Sequence, residues 1–140
     1  MNDAIRAVQY FKAQIADKPG TLTGLLTPMR EAGVNLLAVH AFPRNRGTQV
    51  DVVPEDPVAF KNAAKAKKLK VKGPKTCLLV DGNDRAGALA DLTARLGSAG
   101  INMIAATGLA AGQGRFGVIL WVKPQDLKKA VKAFGISPRS

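Results

Sequence analysis

The chain of 140 residues has little of several residue types on which common kinds of site depend. It has one cysteine, Cys77, which excludes an internal disulfide framework and fits a reducing compartment. It has one histidine, His40, which lacks an accompanying carboxylate or cysteine cluster and is expected to be structural. Metal-ligand spacings, a nucleophile elbow and a phosphate-loop pattern are all absent from the sequence. The sequence therefore predicts a protein with no catalytic activity, no metal and no cofactor.

Long apolar runs and acidic residues are scarce as well. No run approaches the roughly 20 residues of a membrane span, and the amino-terminal MNDAIRAVQYFKAQ contains no apolar signal core. We therefore expect a cytoplasmic protein without a membrane partner. The 10 acidic residues are outnumbered by 21 lysines and arginines, which gives a formal net charge of +11. A charge of this size attracts polyanions and acidic surfaces, but it does not specify a fold.

The most informative feature that the chain does contain is an internal repeat. The segment DKPGTLTGLLTPMREAGVN starts at Asp17, and its second version, DRAGALADLTARLGSAGIN, starts 67 positions later at Asp84. The same offset relates Gly33 to Gly100, Asn35 to Asn102 and Pro57 to Pro124. A register held over about 40 residues indicates a duplication. We expect a first domain over residues 1–73 and a second over residues 74–140.

Both copies predict the same order of elements, β-α-β-β-α-β. Apolar residues three and four positions apart predict a first helix in each copy, ending at Gly33 and Gly100. The predicted strands are Ala7–Ala16, Leu36–Phe42, Thr48–Val53 and Leu69–Lys72 in the first copy, and Thr76–Asp81, Met103–Leu109 and Arg115–Val122 in the second. The predicted second helices are Val58–Lys68 and Gln125–Phe134. Because Pro28 lies inside the first helix, we also expect a kink or a restart there.

This element order is that of the ferredoxin-like unit, an antiparallel sheet with helices on one face. The predicted fold class is therefore α+β, with two tandem ferredoxin-like βαββαβ units. The second copy ends in GISPRS, which leaves little room for a fourth strand. We expect the second unit to lack its last strand.

With these elements in place, the chain resembles the ACT-domain family. The resemblance rests on Asp-Lys-Pro-Gly before an amphipathic helix and on Gly-Val-Asn at the start of a strand, repeated in register, and it covers about Val8 to Ile136. It implies a small tandem-ACT regulatory protein that performs no chemistry of its own. It also implies that ACT units pair, with a homodimer as the expected assembly, and that a small effector, most often an amino acid, binds at the interface between units.

The resemblance further implies which residues line the effector site. In the first copy they are Asp17, Lys18, Pro19 and Gly20 in the loop, and Val34 and Asn35 at the strand start. In the second copy they are Asp84, Arg85, Ala86 and Gly87, with Ile101 and Asn102; Ala86 replaces the proline that the family has. Amides at a helix start suit a carboxylate, and an asparagine amide suits either charged group of an amino acid. The alternative is that both aspartates only cap the helices and both asparagines only satisfy backbone groups.

Two other functions remain open from the sequence. The segment from Lys61 to Lys75 contains lysines at positions 61, 65, 67, 68, 70, 72 and 75 and no acid. Such a cluster suits a nucleic acid or an acidic protein, although a solvated basic helix face is the plainer interpretation. The third hypothesis is a dimerisation module without a ligand, because an open sheet edge in the second copy would pair with another chain.

Overall fold

The computed structural model describes residues 3–135. Within that range the chain is α+β, with six strands and four helices. The strands are β1 (Ala4–Ala16), β2 (Leu36–Arg44), β3 (Gly47–Pro54), β4 (Val71–Asn83), β5 (Met103–Gly112) and β6 (Arg115–Val122). The helices are α1 (Thr21–Glu31), α2 (Pro57–Ala66), α3 (Ala88–Ser98) and α4 (Leu127–Phe134). None of the described helices is long and apolar enough to cross a membrane.

The described residues divide into two compact units. The first unit is Gln9–Lys75, and the second combines residues 3–8 with residues 76–135. Both β1 and β4 contribute to each unit, because the division falls inside these two strands. The predicted strands Leu69–Lys72 and Thr76–Asp81 are not separate, because one strand, β4, begins at Val71 and continues through both to Asn83. Gly73 and Pro74 lie inside this strand, and proline is compatible with a strand where its missing N–H is not needed.

In the first unit the strand order is β2-β3-β1-β4, with residues 9–16 of β1 and residues 71–75 of β4. β3 is antiparallel to both β1 and β2. The core contains Phe11, Val50 and Val52 from the strands and Met29 and Phe60 from the helices. The rings of Phe11 and Phe60 lie 4.7 Å apart between centroids, a favourable aromatic distance. α1 continues through Pro28 as one helix, so the predicted restart is wrong.

In the second unit the strand order is β5-β6-β4-β1, and β1 contributes its residues 4–8. Leu92 and Leu96 of α3 and Phe134 of α4 join strand residues in the core, and Ile5 and Ala7 of β1 pack against it. The predicted absence of a strand after the last helix concerns residues 136–140, which lie outside the described residues. The sheet position beside β4 is nevertheless filled, by residues from the start of the chain.

Candidate functional site

The loop between β1 and α1 contains the first predicted group of site residues, Asp17, Lys18, Pro19 and Gly20, and all four are exposed. The loop is held by Thr21, whose hydroxyl donates to the carbonyl oxygens of Ala16 at 2.6 Å and Lys18 at 2.9 Å. The Lys18 N–H also donates to the Ala16 carbonyl at 3.0 Å. The equivalent of Thr21 in the second copy is Ala88, which has no hydroxyl. The first loop is therefore fixed by a hydrogen bond that the second cannot form.

The start of α1 has backbone amides that no described side chain caps, although the Thr21 N–H donates to the Lys18 carbonyl at 3.3 Å. Its N-cap is Gly20, in the left-handed region with φ of 88°, and no described side chain caps the helix. α3 has the same arrangement at Gly87, with φ of 81°. Asp17 and Asp84 are thus not N-caps, and that alternative is wrong for both. The first N–H groups of a helix have no intrahelical partners and lie at the positive end of its dipole, so both helix starts favour a carboxylate.

The second predicted group in the first unit is Val34 and Asn35, at the start of β2. Val34 is only 8% exposed and packs in the core, and its N–H donates to the Met29 carbonyl at 2.9 Å. Asn35 is exposed, and its side-chain amide donates to Glu55 Oε2 at 3.1 Å. The Glu55 N–H in turn donates to the Asn35 carbonyl at 2.9 Å. A ligand can therefore reach Asn35, but it would have to share that amide with Glu55 or displace it.

In the second unit the loop arginine is already engaged by carboxylates. Arg85 forms two hydrogen bonds of 3.2 Å to Asp3, one to each oxygen, and another of 3.2 Å to Asp91. Its guanidinium lies 5.9 Å from the centre of the Phe116 ring. These bonds favour the charged form, so the pKa of Arg85 is raised above its usual value, chiefly by Asp3 and then by Asp91. The Asp3 side chain is only 2% exposed, so the carboxylate of this ion pair is buried within the unit.

The remaining residues predicted in the second unit have the same exposure as their first-unit counterparts, but their partners differ. The Asp84 N–H donates to the Gly114 carbonyl at 2.8 Å, which joins the loop to the β5–β6 turn. Ala86 and Gly87 are exposed, Ile101 is buried in the core, and Asn102 is exposed. The position equivalent to Glu55 is occupied by Val122, so Asn102 has no matching carboxylate. The two candidate sites therefore differ in both their loop cation and their asparagine partner.

Comparison with known proteins gives matches at the level of structure. No protein-family profile matches the sequence, and no curated protein matches it significantly. A protein from Bacteroides thetaiotaomicron matches with a TM-score of 0.78 at 16% identity, over 95% of this chain and 92% of that one. The ligand-free regulatory subunit of aspartate kinase from Thermus thermophilus matches with a TM-score of 0.62 at 16% identity, over 95% and 94%. The Thermus flavus regulatory subunit gives 0.60 at 15% identity, over 96% and 95%.

The chain has the fold of ACT-domain proteins. The resemblance that the sequence suggested is thereby confirmed for the fold. At sequence identities of 15–18%, the structural similarity establishes the fold and does not identify a ligand or individual site residues.

The ACT fold separates the two predicted groups of site residues within each unit. In the first unit, Ala16 before the loop pairs with Gly47, whereas Leu36 after Asn35 pairs with Pro54. Gly47 and Pro54 are opposite ends of β3, an eight-residue strand that spans about 25 Å. In the second unit, Asn83 and Met103 likewise pair with Arg115 and Val122, opposite ends of β6. Loop and strand start of one unit therefore cannot contact the same small molecule.

Three residues that shape these sites were missed by sequence reasoning. Thr21 follows the loop directly, but a hydroxyl at a helix start carries no distinctive pattern in the sequence. Glu55 lies 20 positions from Asn35, and Asp3 lies 82 positions from Arg85, so no local pattern connects them.

Among the described residues no cluster of three metal-ligating side chains occurs. His40 is partly buried on β2, with its ring 5.2 Å from that of Phe42, and Cys77 is buried.

Proposed function

We propose that this protein is a non-enzymatic regulatory module that binds a small effector, an amino acid, where ACT units of two chains meet. The observation that carries the proposal is the separation of loop and strand start by the length of β3. A ligand that uses both groups needs the loop of one unit and the strand start of another, which the pairing of two chains would supply. The fold shared with regulatory subunits of aspartate kinase supports a regulatory role.

The first-unit loop is the better candidate for binding the ligand carboxylate. The amides that follow Thr21 at the start of α1 have no side-chain cap, and Gly20 allows a ligand to approach the backbone closely. Lys18 is exposed and forms no ion pair within residues 3–135, whereas Arg85 is already bound to Asp3 and Asp91. Asp17 would accept a hydrogen bond from the ligand ammonium. The side-chain amide of Asn35 from the other chain would form the remaining contact with the ligand. The second unit would bind more weakly.

Exposed edge strands support the homodimer that this site requires. Within residues 3–135, β2 and β5 each pair with a single neighbouring strand, so each has an edge that no described strand covers. On β5, Ile104 is 60% exposed and Leu109 is 68% exposed. Free edges with exposed apolar side chains invite pairing with another chain. The same feature suits a dimerisation module without a ligand, so a ligand must be sought directly.

A thermal-shift screen against the common amino acids tests the proposal. Because a ligand that binds only the folded state stabilises it, at least one amino acid should raise the melting temperature. A concentration of about 100 times the dissociation constant gives about 2.7 kcal/mol of stabilisation. The variant N35A should lose the shift, while N62A, which changes an exposed asparagine on α2, should keep it. A folded protein whose melting temperature responds to no amino acid would contradict the proposal.

A further inference from the structure

The first unit contains a cavity that is distinct from the β1–α1 loop. It is a cavity of about 670 Å³ bounded by β1, the end of the β2–β3 hairpin and the segment that leads into β4. This volume lies within the roughly 300–1,000 Å³ of ordinary small-molecule sites. All of its lining residues belong to the first unit. We call it the basic cavity, because Lys12, Arg44, Lys70 and Lys72 line it.

The charge of the basic cavity is only partly offset by neighbouring side chains. No aspartate or glutamate lines it, and within residues 3–135 none of its four cations forms a salt bridge. The nearest acid in the strand pairing is Asp51, opposite Lys12. Asp51 is 5% exposed, and its carboxylate accepts a 3.0 Å hydrogen bond from the Gln49 amide. Four cations are thus concentrated around one small volume and face at most one buried carboxylate.

The wall of the cavity is held in place by backbone contacts. The Gln14 side-chain amide donates to the Arg44 carbonyl at 2.8 Å, which ties β1 to the end of the hairpin. A Cβ at Gly47 would lie 2.6 Å from the Ile15 carbonyl oxygen, so glycine is needed for this close approach. Gln49, which is also on the wall, is only 8% exposed. The cations therefore line a concave surface whose wall is fixed by these contacts.

We propose that the basic cavity binds a small ligand that carries two phosphate groups. Each phosphate carries about −1.5 to −2 charges at pH 7, so two of them balance four cations. The planar guanidinium of Arg44 suits two phosphate oxygens at once, and the lysines act as point charges. No aromatic side chain lines the cavity, so it lacks the stacking surface that single-stranded nucleic acids use. The amino-acid site at the β1–α1 loop is separate and does not depend on this one.

Calorimetric titration of the whole chain with inorganic pyrophosphate tests the proposal. The expected result is saturable binding with one pyrophosphate per chain, tighter than that of inorganic phosphate at the same ionic strength. The double variant K12Q/K72Q should weaken binding by about tenfold or more, because it removes two charge-assisted contacts. The matched control K61Q/K65Q makes the same charge change on α2, away from the lining, and should bind as the unmodified chain does.

A second variant distinguishes loss of binding from a folding defect. R44Q keeps the backbone carbonyl that Gln14 contacts, so it should fold normally while it also weakens pyrophosphate binding. Equal weakening in K12Q/K72Q and K61Q/K65Q would overturn the proposal and indicate a diffuse basic surface. An RNA oligonucleotide that bound tightly and was weakened equally by both pairs would overturn it in the same way. The absence of saturable pyrophosphate binding to the folded chain would also overturn it.

Discussion

At the scale of single residues, the second unit contains a buried carboxylate, that of Asp3, which pairs with Arg85. Asp3 reaches Arg85 because Gly82 leaves room for it, since a Cβ at Gly82 would collide with the Asp3 carboxylate. That Cβ would also lie 2.8 Å from Phe116, well inside ordinary contact. Glycine is therefore required at position 82 by close packing.

We predict that G82A lowers the free energy of unfolding by about 1–3 kcal/mol, the usual cost of overpacking. The control is G117A on the adjacent strand, because Asp81 pairs with Gly117. A Cβ there would meet only the Val80 carbonyl oxygen at 3.7 Å, so the change should stay within about 0.5 kcal/mol. Denaturant unfolding of both variants measures the difference. If G82A and G117A were equally stable, the close contact between Asp3 and Gly82 would be refuted.

At the scale of elements, the turn from β1 into α1 depends on the backbone of Gly20. Its φ of 88° lies in the left-handed region, and a Cβ there would have nothing within 4 Å. The cost of a side chain at this position is therefore conformational and not steric. It is about 1–2 kcal/mol for an L-residue.

We predict that G20A lowers the free energy of unfolding by about 1–2 kcal/mol. The control is G24A within α1, where a Cβ also has open space but the backbone is helical. Alanine should raise the stability there by about 0.5–1 kcal/mol. Thermal or denaturant unfolding of the pair gives the comparison, and two changes of the same sign would contradict the assigned backbone conformation.

The sequence was most informative at this scale, and for a physical reason. The helices and most strands follow from apolar periodicity and glycine stops, which are local signals, and α1 and α3 end close to the glycine stops that the sequence predicts. The contribution of residues 4–8 to the second unit has no such signal, because its partners are about 75 positions away. The Asn35–Glu55 and Arg85–Asp3 contacts were missed for the same reason. Pairing between distant segments determines the site, and spacing within one segment does not reveal it.

At the scale of the whole molecule, the proposed site makes ligand binding and association of two chains a single process. Each half of the site lies at a different end of the unit, so a dimer with two-fold symmetry would build two equal sites. A ligand bound at both sites would then favour the dimer over the monomer by mass action. This linkage distinguishes a shared site from one contained within a single chain.

The most direct test of a shared site mixes two variants that are each defective in a different half. D17A removes the carboxylate from the loop, and N35A removes the amide from the strand start. With the amino acid that the screen identifies, neither variant alone should bind. In a reassociated equal mixture, half of the dimers contain both variants and have one intact site, so about a quarter of the original capacity should return. Binding by neither the variants nor their mixture, with all chains folded and dimeric, would contradict a site shared between two chains.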